Sequence, residues 1–386
     1  MEKTARIAEI EGFIRFVATE WPRLRADVAH QISARCTRCI LSEHCSPLVD
    51  GVCEVCRSGG QSRRHPAREI PAMTRALDEL LRAHAGRGRG RHDALLLFSG
   101  GKDSAYLLHR LRTEYPDLRI LALTVESGFF SAVARDNVDN ILRRIGGVDH
   151  VTFTPRGELF RKTFRHALTH LAPGGCYETV DRMDGDLTFD IGRNVAAELD
   201  IPLMIIGLSP IQVEDILGLS SFETDPAVER QRRTTSAGFE LERLYTAEEL
   251  RFWWDGTRWP DGRIPRVLYP FYAWEYDEHA IREEVLRLGL IEPGQDDPII
   301  TNNDLIPIML ALDVAVLGYS GFEPEFAQLV RTGKADRAMW LGVFEALEYL
   351  ARRGEFLPNC IASTLGRLEL SVADIGLRRA VPAPIR

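Results

Sequence analysis

The chain has 386 residues, of which 45% are apolar and 27% charged. That balance allows a soluble enzyme with about two or three sizeable cores. The net charge of −8 argues against a surface that binds nucleic-acid phosphates along its whole length. The sequence carries no charged-then-apolar leader and no apolar run of about 18 residues, so secretion and membrane spanning lack support. We therefore expect a cytoplasmic protein.

The first distinctive motif is a cysteine-rich stretch, CTRCILSEHCSPLVDGVCEVC, at residues 36–56. It contains two C-x-x-C pairs, made by Cys36, Cys39, Cys53 and Cys56. Two such pairs place four thiolates at tetrahedral corners about 2.3 Å from one Zn²⁺ ion, with a hairpin closed by Asp50 and Gly51 between them. Because a closed four-cysteine site leaves no position for a substrate, we expect this zinc site to fold a small module.

Other interpretations of these cysteines stay open. His44 or Cys45, on the hairpin, could replace one of the four ligands. An iron–sulfur cluster also uses four cysteines, whereas two disulfides fit poorly with a cytosolic chain. On the zinc interpretation the cysteines hold structure together, and the chemistry is expected further along the chain.

A glycine-rich motif follows in DALLLFSGGKDSAYLLHRLRTEY, residues 93–115. ALLLF predicts a buried strand, SGGKDS a turn, and the leucines after it one face of a helix. Adjacent glycines let backbone N–H groups approach an anion, and the helix N-terminus adds about half a positive charge. Lys102 supplies an ammonium group, whereas Asp103 would repel phosphate unless Mg²⁺ lies between them. The motif therefore predicts a site for a magnesium nucleotide.

SGGKDS after a strand resembles the PP-loop of the N-type ATP pyrophosphatases, which cleave ATP to AMP and pyrophosphate while adenylating a substrate oxygen. It differs from the loop of P-loop NTPases because its glycines are adjacent and the lysine follows at once. The resemblance implies an adenine nucleotide alpha hydrolase-like fold with a doubly wound parallel sheet, and catalytic roles for Lys102 and Asp103. The loop that it implies for the leaving pyrophosphate consists of Ser99, Gly100, Gly101, Lys102, Asp103 and Ser104.

The chain after this loop alternates strand and helix patterns. Strands are predicted at 119–125, 149–155 and 201–207, and helices at 132–145, 156–171 and 184–199. Such alternation builds a parallel α/β sheet with helices on both faces. In such sheets, ligands bind beyond the carboxyl ends of the strands, where the strand order reverses.

Polar residues that follow two of the strands are therefore candidates for ligand contact. Glu126 and Ser127, after the second strand, resemble by position the adenosine-facing segment of the superfamily. Glu214 or Asp215, after the fourth strand, is the candidate for contact with the substrate or Mg²⁺. The alternative for each of these residues is a role in a turn or a helix cap.

Cys176, in APGGCYETVDRMDGD, is predicted to lie on an exposed loop because it follows PGG. A loop thiol near an adenylated substrate could carry a persulfide, as in PP-loop enzymes that transfer sulfur. The alternative is an ordinary loop thiol or a semi-buried one.

A closer resemblance covers most of the chain. CTRCI and GVCEVC, then SGGKDS, then LYPFYAWEYDEHAIREEVLRLGL look like the N-acetyl sugar amidotransferases of surface-polysaccharide biosynthesis. The chain departs from them before its first cysteine, at VESGFFSAVARDNVDN and around Cys176. The resemblance implies a transferase that uses ATP to adenylate an amide-type oxygen of a sugar-like small molecule and replaces it with nitrogen. The alternative is a sulfurtransferase acting on a nucleobase, a small metabolite or tRNA.

The donor of the nitrogen or sulfur is not evident in the chain. Glu2 follows Met1, and GGCYE lacks the G-x-C-x-G elbow, so no glutaminase nucleophile is recognised. We expect the donor in solution or on a separate glutaminase or sulfur-donor protein. We expect the acceptor to be a small molecule rather than tRNA. A homodimer is compatible with the sequence.

These motifs predict five consecutive regions. They are a helical extension (1–35), a zinc-ribbon module (36–60), a linker and helix (61–92), the ATP pyrophosphatase domain (93–220) and a mostly helical substrate or oligomerisation region (221–386). In the last region, DEHAIREEVLRLGL and RAMWLGVFEALEYLARRG have apolar residues at helical spacing, and Gly354 ends the second.

Overall fold

The computed structural model describes residues 3–59, 69–156, 158–295 and 303–377. The chain divides into two compact units, each assembled from stretches that are far apart in sequence. Unit 1 is Met1–Arg64, Arg161–Asp181 and Asn303–Arg386, and unit 2 is His65–Phe160 and Arg182–Asn302. The sequence predicted consecutive regions, so it did not anticipate that the cysteine module shares a unit with the C-terminal helices. Residues 60–68, which include the last residue of the predicted zinc-ribbon module and the first part of the predicted linker, lie outside the described residues.

The structure contains short strands and helices of varied length. The strands are β1 (Leu48–Val49), β2 (Val52–Cys53), β3 (Ala94–Leu97), β4 (Ile120–Val125), β5 (Asp149–Phe153), β6 (Leu203–Ile205), β7 (Glu223–Thr224) and β8 (Arg266–Leu268). The helices are α1 (Lys3–Thr19), α2 (Trp21–Leu24), α3 (Glu54–Arg57), α4 (Ile70–His84), α5 (Lys102–Glu114), α6 (Ala132–Ile145), α7 (Leu159–Thr169), α8 (Arg182–Glu198), α9 (Pro210–Asp215), α10 (Pro226–Gln231), α11 (Leu241–Leu244), α12 (Pro270–Ala273), α13 (Glu278–Arg287), α14 (Ile306–Leu317), α15 (Glu323–Arg331), α16 (Arg337–Arg353) and α17 (Pro358–Arg367). Within the described ranges, no helix is long and apolar enough to span a membrane.

Unit 2 is built around a sheet with the strand order β5-β4-β3-β6-β8-β7. All neighbouring strands pair in parallel except β7, which pairs antiparallel with β8 at one edge. The chain moves outward from β3 to β4 and β5, and then returns to the other side of β3 with β6. The strand order therefore reverses between β3 and β6, which is where doubly wound sheets bind their ligands.

Helices cover both faces of this sheet because alternate residues of a strand point to opposite sides. On one face, Leu96 of β3 belongs to a buried cluster with Leu107 and Leu111 of α5. On the other face, Leu97 belongs to a cluster with Ala196 of α8. The predicted doubly wound α/β fold is therefore confirmed.

The four strands predicted from the sequence are present, and α6 has the predicted bounds. Strands β7 and β8 were not predicted, and they extend the sheet into the region that was expected to be mostly helical. Each is only two or three residues long, so neither leaves a recognisable alternation in the sequence.

In unit 1, the N-terminal helices pack against helices from the other end of the chain. The ring of Phe13 meets Phe356 edge to face, with centroids 5.1 Å apart, and Trp21 lies 5.5 Å from Tyr349. The cysteine stretch forms a buried cluster with Ala327 of α15 and Phe344 of α16, among others. The module is therefore part of the core of unit 1.

A buried ion network connects the segment before Cys36 to α15 and α16. The Arg35 Nη1 lies 2.8 Å from Glu323 Oε2, and its Nη2 lies 2.9 Å from Glu348 Oε2. Glu348 also accepts hydrogen bonds from the backbone N–H and the hydroxyl of Ser33. Because buried charges are tolerated only when they are paired, this network fixes how the segment docks.

Candidate functional site

The SGGKDS loop lies at the carboxyl end of β3, at the point where the strand order reverses. Gly100 has a φ of +73°, and a Cβ there would lie 2.5 Å from the Ala134 carbonyl oxygen. A glycine is therefore required for both reasons. Gly101 precedes α5 and has no side chain to cap that helix, so the first N–H groups of α5 are available to an anion.

The two serines of the loop form a small hydrogen-bonded group. The Ser104 hydroxyl donates to the Gly101 carbonyl at 3.0 Å and lies 3.3 Å from the Ser99 hydroxyl. The Ser99 Oγ also accepts from the Gly101 N–H. These contacts shape the turn around the place where a phosphate group is expected.

Lys102 is held between two carboxylates. Its Nζ lies 2.7 Å from Asp103 Oδ2 and 3.3 Å from Glu278 Oε1, and its side chain is 14% exposed. Burial lowers the pKa of Lys102, but the charge of Asp103, with Tyr276 and Glu278, outweighs burial and places the pKa well above its usual value. The lysine is therefore an ammonium ion in this site.

Two of these partners come from a segment far along the chain, which the sequence analysis did not assign to the site. The Tyr276 hydroxyl donates to Asp103 Oδ1 at 3.0 Å, and Glu278 is the first residue of α13. The Tyr276 ring meets Phe271 edge to face at 5.3 Å, and Phe271 stacks on Tyr106 of α5. The segment is thereby packed onto the same helix that carries the loop.

The residues around Lys102 have suitable donors for Mg²⁺, which the resemblance implies. Asp103 and Glu278 supply carboxylate oxygens beside the loop, and hard divalent cations prefer such oxygens, together with phosphate and water. The two carboxylates therefore fit a Mg²⁺ ion.

Glu126 and Ser127 follow β4, as predicted, and have local partners. The Glu126 carboxylate accepts from the Gly128 N–H at 2.8 Å and pairs with Arg135 at 2.8 Å. The Ser127 hydroxyl accepts from the Phe129 N–H. These contacts shape the turn after β4, and the proposed adenosine contact stays a prediction.

Glu214 and Asp215 lie at the end of α9. Glu214 accepts a hydrogen bond from the Tyr272 hydroxyl at 3.0 Å, while Asp215 is exposed. Ser209 and Gln212 form a capping box at the start of this helix. A contact of either carboxylate with substrate or Mg²⁺ stays a prediction.

Cys176 is not on an exposed loop, which corrects the prediction made from PGG. Its side chain is fully buried at the start of a helical segment in unit 1. The backbone N–H of Cys176 donates to Asp313 Oδ1 at 2.6 Å. Burial, and then the Asp313 carboxylate, raise the pKa of the thiol well above its usual value. The reactive thiolate is therefore disfavoured at this position.

The four cysteines of the two C-x-x-C pairs come together as predicted. Their sulfur atoms all lie within 4.8 Å of one another, and the sulfurs of Cys39 and Cys53 are 3.7 Å apart. Backbone N–H groups point at these sulfurs, including that of Leu41 at Cys39. The predicted hairpin lies between the pairs, with Asp50 and Gly51 at positive φ. The donor set fits a tetrahedral ion.

The cysteine module is also fixed from outside. Arg337, at the start of α16, donates from its guanidinium to the carbonyl oxygens of Cys36 at 2.8 Å and Cys39 at 2.7 Å. The two carbonyls flank the first C-x-x-C turn, so one side chain holds that turn in shape. No local sequence pattern connects this arginine to the cysteines, because it lies some three hundred residues away.

A pocket of about 620 Å³ opens in unit 2 beside the carboxyl end of β5. Phe153, Phe252 and Trp259 supply aromatic surface. The charged residues of the lining are three arginines and four glutamates: Arg156, Arg251, Arg258, Glu158, Glu198, Glu248 and Glu249. Its volume is that of a site for a small molecule, which usually measures about 300–1,000 Å³. The backbone N–H of Glu126 donates to the Phe153 carbonyl, which connects this strand end to the turn after β4.

Comparisons with known proteins assign no family. No family model matches the chain, and no curated protein matches it significantly. Among solved structures, the U34-tRNA thiolase NcsA from Methanococcus maripaludis, determined with its 4Fe-4S cluster, aligns over 92% of this chain and 93% of its own. The identity is 13% and the TM-score is 0.36, which is too low to assign a function.

Replacing Gly100 with alanine tests the geometry of the loop. We expect Gly100→Ala to lower the free energy of unfolding by about 2–3 kcal/mol, because the new Cβ meets the Ala134 carbonyl and the φ is unfavourable. Gly101→Ala is the matched control: a Cβ there has its nearest neighbour at 3.5 Å, and the φ is −79°. Urea denaturation measures both, and equal losses would contradict the geometry.

Proposed function

We propose that the chain is an ATP-dependent enzyme that adenylates an oxygen of its substrate and releases pyrophosphate. The observation that carries this proposal is the SGGKDS loop, located at the reversal of strand order with a partly buried ammonium group at Lys102. A loop of this kind supports the release of pyrophosphate rather than phosphoryl transfer, through its resemblance to the PP-loop of the N-type ATP pyrophosphatases.

In this proposal, groups of the loop and of the segment packed on it act at the leaving pyrophosphate. The N–H groups at the start of α5 and the ammonium of Lys102 stabilise the charge that builds up on it as the substrate oxygen attacks the α-phosphorus. Asp103 and Glu278 would hold Mg²⁺, which neutralises phosphate charge when it is bound. Tyr276 keeps the Asp103 carboxylate in place.

The second nucleophile is sulfur or nitrogen. The sequence favoured nitrogen through the sugar amidotransferases, but the comparisons give that resemblance no support. All seven cysteines belong to unit 1, so unit 2, which carries the loop, has no thiol of its own. We propose that the nucleophile is delivered from solution or by a separate donor protein. Sulfide is the first nucleophile to be tested.

We propose a small molecule as the acceptor. The pocket beside β5 has the volume for such a ligand, and its aromatic side chains suit a flat face while its arginines and glutamates suit polar groups. A nucleobase or a sugar derivative meets both conditions.

The test of the proposed reaction follows the products of ATP. Purified protein is incubated with magnesium ATP and a metabolite extract, with sulfide in one tube and ammonium in another. We expect AMP and pyrophosphate, because the loop holds the leaving pyrophosphate. A product about 16 mass units heavier than its parent indicates oxygen replaced by sulfur, and one about 1 unit lighter indicates replacement by NH. Formation of ADP would contradict the proposal.

A Cys176→Ser variant tests whether this thiol takes part. We expect full turnover, because the buried thiol beside Asp313 disfavours the thiolate that a persulfide route needs. Cys176→Ala serves as a second variant, since it removes the hydrogen-bonding group as well. The rates of AMP formation and of product formation are measured separately. If AMP formed while product formation was lost, Cys176 would be the carrier after all.

We propose that the four-cysteine site holds one zinc ion. Four sulfurs at about 2.3 Å from one ion lie about 3.8 Å apart, and the sulfurs of Cys39 and Cys53 are 3.7 Å apart. In a 4Fe-4S cluster each cysteine binds a different iron, and in a 2Fe-2S cluster the cysteines are divided between two irons, so either cluster spreads the four sulfurs more widely. The compact set supports a single ion.

Metal analysis of protein purified without oxygen tests this assignment. We expect about one zinc per chain and no acid-labile sulfide. Cys39→Ser should lose the metal and destabilise unit 1, whereas Cys45→Ser, which changes a cysteine outside the two pairs, should keep it. Iron with sulfide and a broad visible absorption would show that the site holds a cluster, and loss of zinc in Cys45→Ser would add Cys45 to the ligands.

A further inference from the structure

We infer that Glu278 makes the loop selective for pyrophosphate complexed with Mg²⁺ over free pyrophosphate. This inference rests on the proposed function and deepens it, because it assigns a specificity role to a residue outside the loop. Glu278 begins α13, and its carboxylate lies 3.3 Å from the Lys102 ammonium. The sequence motif that suggested a nucleotide site does not include it.

Three charges define what the loop presents to a ligand. Lys102 is the cation, and Asp103 and Glu278 are the two anions within 3.3 Å of it, so this group of three carries a net charge of −1. The three side chains are 14%, 29% and 25% exposed, so solvent screens them only partly. Their interactions are therefore stronger than those of a surface ion pair.

A free polyphosphate would approach this group at a disadvantage. The ammonium that should attract it is already paired with two carboxylates, and both carboxylates repel phosphate oxygens. A polyphosphate that carries Mg²⁺ offers each carboxylate a ligand position on the ion, so that repulsion becomes attraction. Asp103 belongs to the loop itself and is held by Tyr276. Glu278 is the second carboxylate, and it comes from a segment outside the loop.

Glu278 is held in position by the two residues that precede it. Asp277, its neighbour, caps α13 by accepting from the Ala280 N–H at 3.1 Å. Tyr276, on the other side of Asp277, packs on Phe271. The carboxylate is therefore presented by a capped helix with an anchored entry, and it is not a side chain on an unsupported loop.

The test is the affinity for inorganic pyrophosphate, measured by calorimetry with excess Mg²⁺ and again with EDTA. We expect the wild type to bind it much more tightly with Mg²⁺. Glu278→Gln should reduce the ratio of the two affinities about tenfold, mainly by improving binding of the free anion, because one repelling charge is removed. Glu278→Asp keeps the charge and should retain most of the discrimination.

The matched control is Glu283→Gln, which removes one negative charge from the exposed surface of the same helix. It should leave the ratio unchanged. If Glu278→Gln and Glu283→Gln behave alike, or if the wild type binds free pyrophosphate as well as the magnesium complex, the inference is wrong while the proposed function stands. If the wild type binds pyrophosphate under neither condition, the proposed function itself fails. Circular dichroism confirms that each variant is folded.

Discussion

The structure of the candidate site depends on one interaction, the pairing of the Lys102 ammonium with Asp103 and Glu278. A partly buried cation needs partners, and here one partner is its neighbour in the loop while the other comes from α13. The pairing therefore joins the loop to α13. The stack of Tyr276, Phe271 and Tyr106 supports the same connection through apolar contact. The charge arrangement and the packing of α13 on α5 thus depend on each other.

The cysteine module shows a comparable dependence in unit 1. The four sulfurs are brought together by local turns, but the module is held in the unit by side chains from the C-terminal helices. Arg337 holds the first C-x-x-C turn through its carbonyls, and Arg35 is paired with buried glutamates of α15 and α16. A metal ion at the four sulfurs would therefore stabilise a core that contains both ends of the chain.

The sequence predicted what is local and missed what is distant. The strand, the SGGKDS turn and the helix follow one another in the chain. Their apolar periodicity and adjacent glycines were therefore sufficient to predict these elements from the sequence. The hairpin between the cysteine pairs was predicted from the Asp50–Gly51 turn for the same reason. Glu278 lies more than 170 residues after Lys102, and no local pattern connects them. The burial of Cys176 was missed because its neighbours include residues far along the chain, such as Asp313, which is 137 residues away.

The cysteines of this chain and its SGGKDS loop belong to different units. Unit 2 carries the loop and contains no cysteine, and all seven cysteines belong to unit 1. Four of them form the metal site, and Cys176 is buried beside a carboxylate that opposes its ionisation. A thiol whose ionisation is disfavoured is a poor carrier of sulfur. For an enzyme that transfers sulfur, this arrangement favours the separate donor of the proposed function over a persulfide on Cys176.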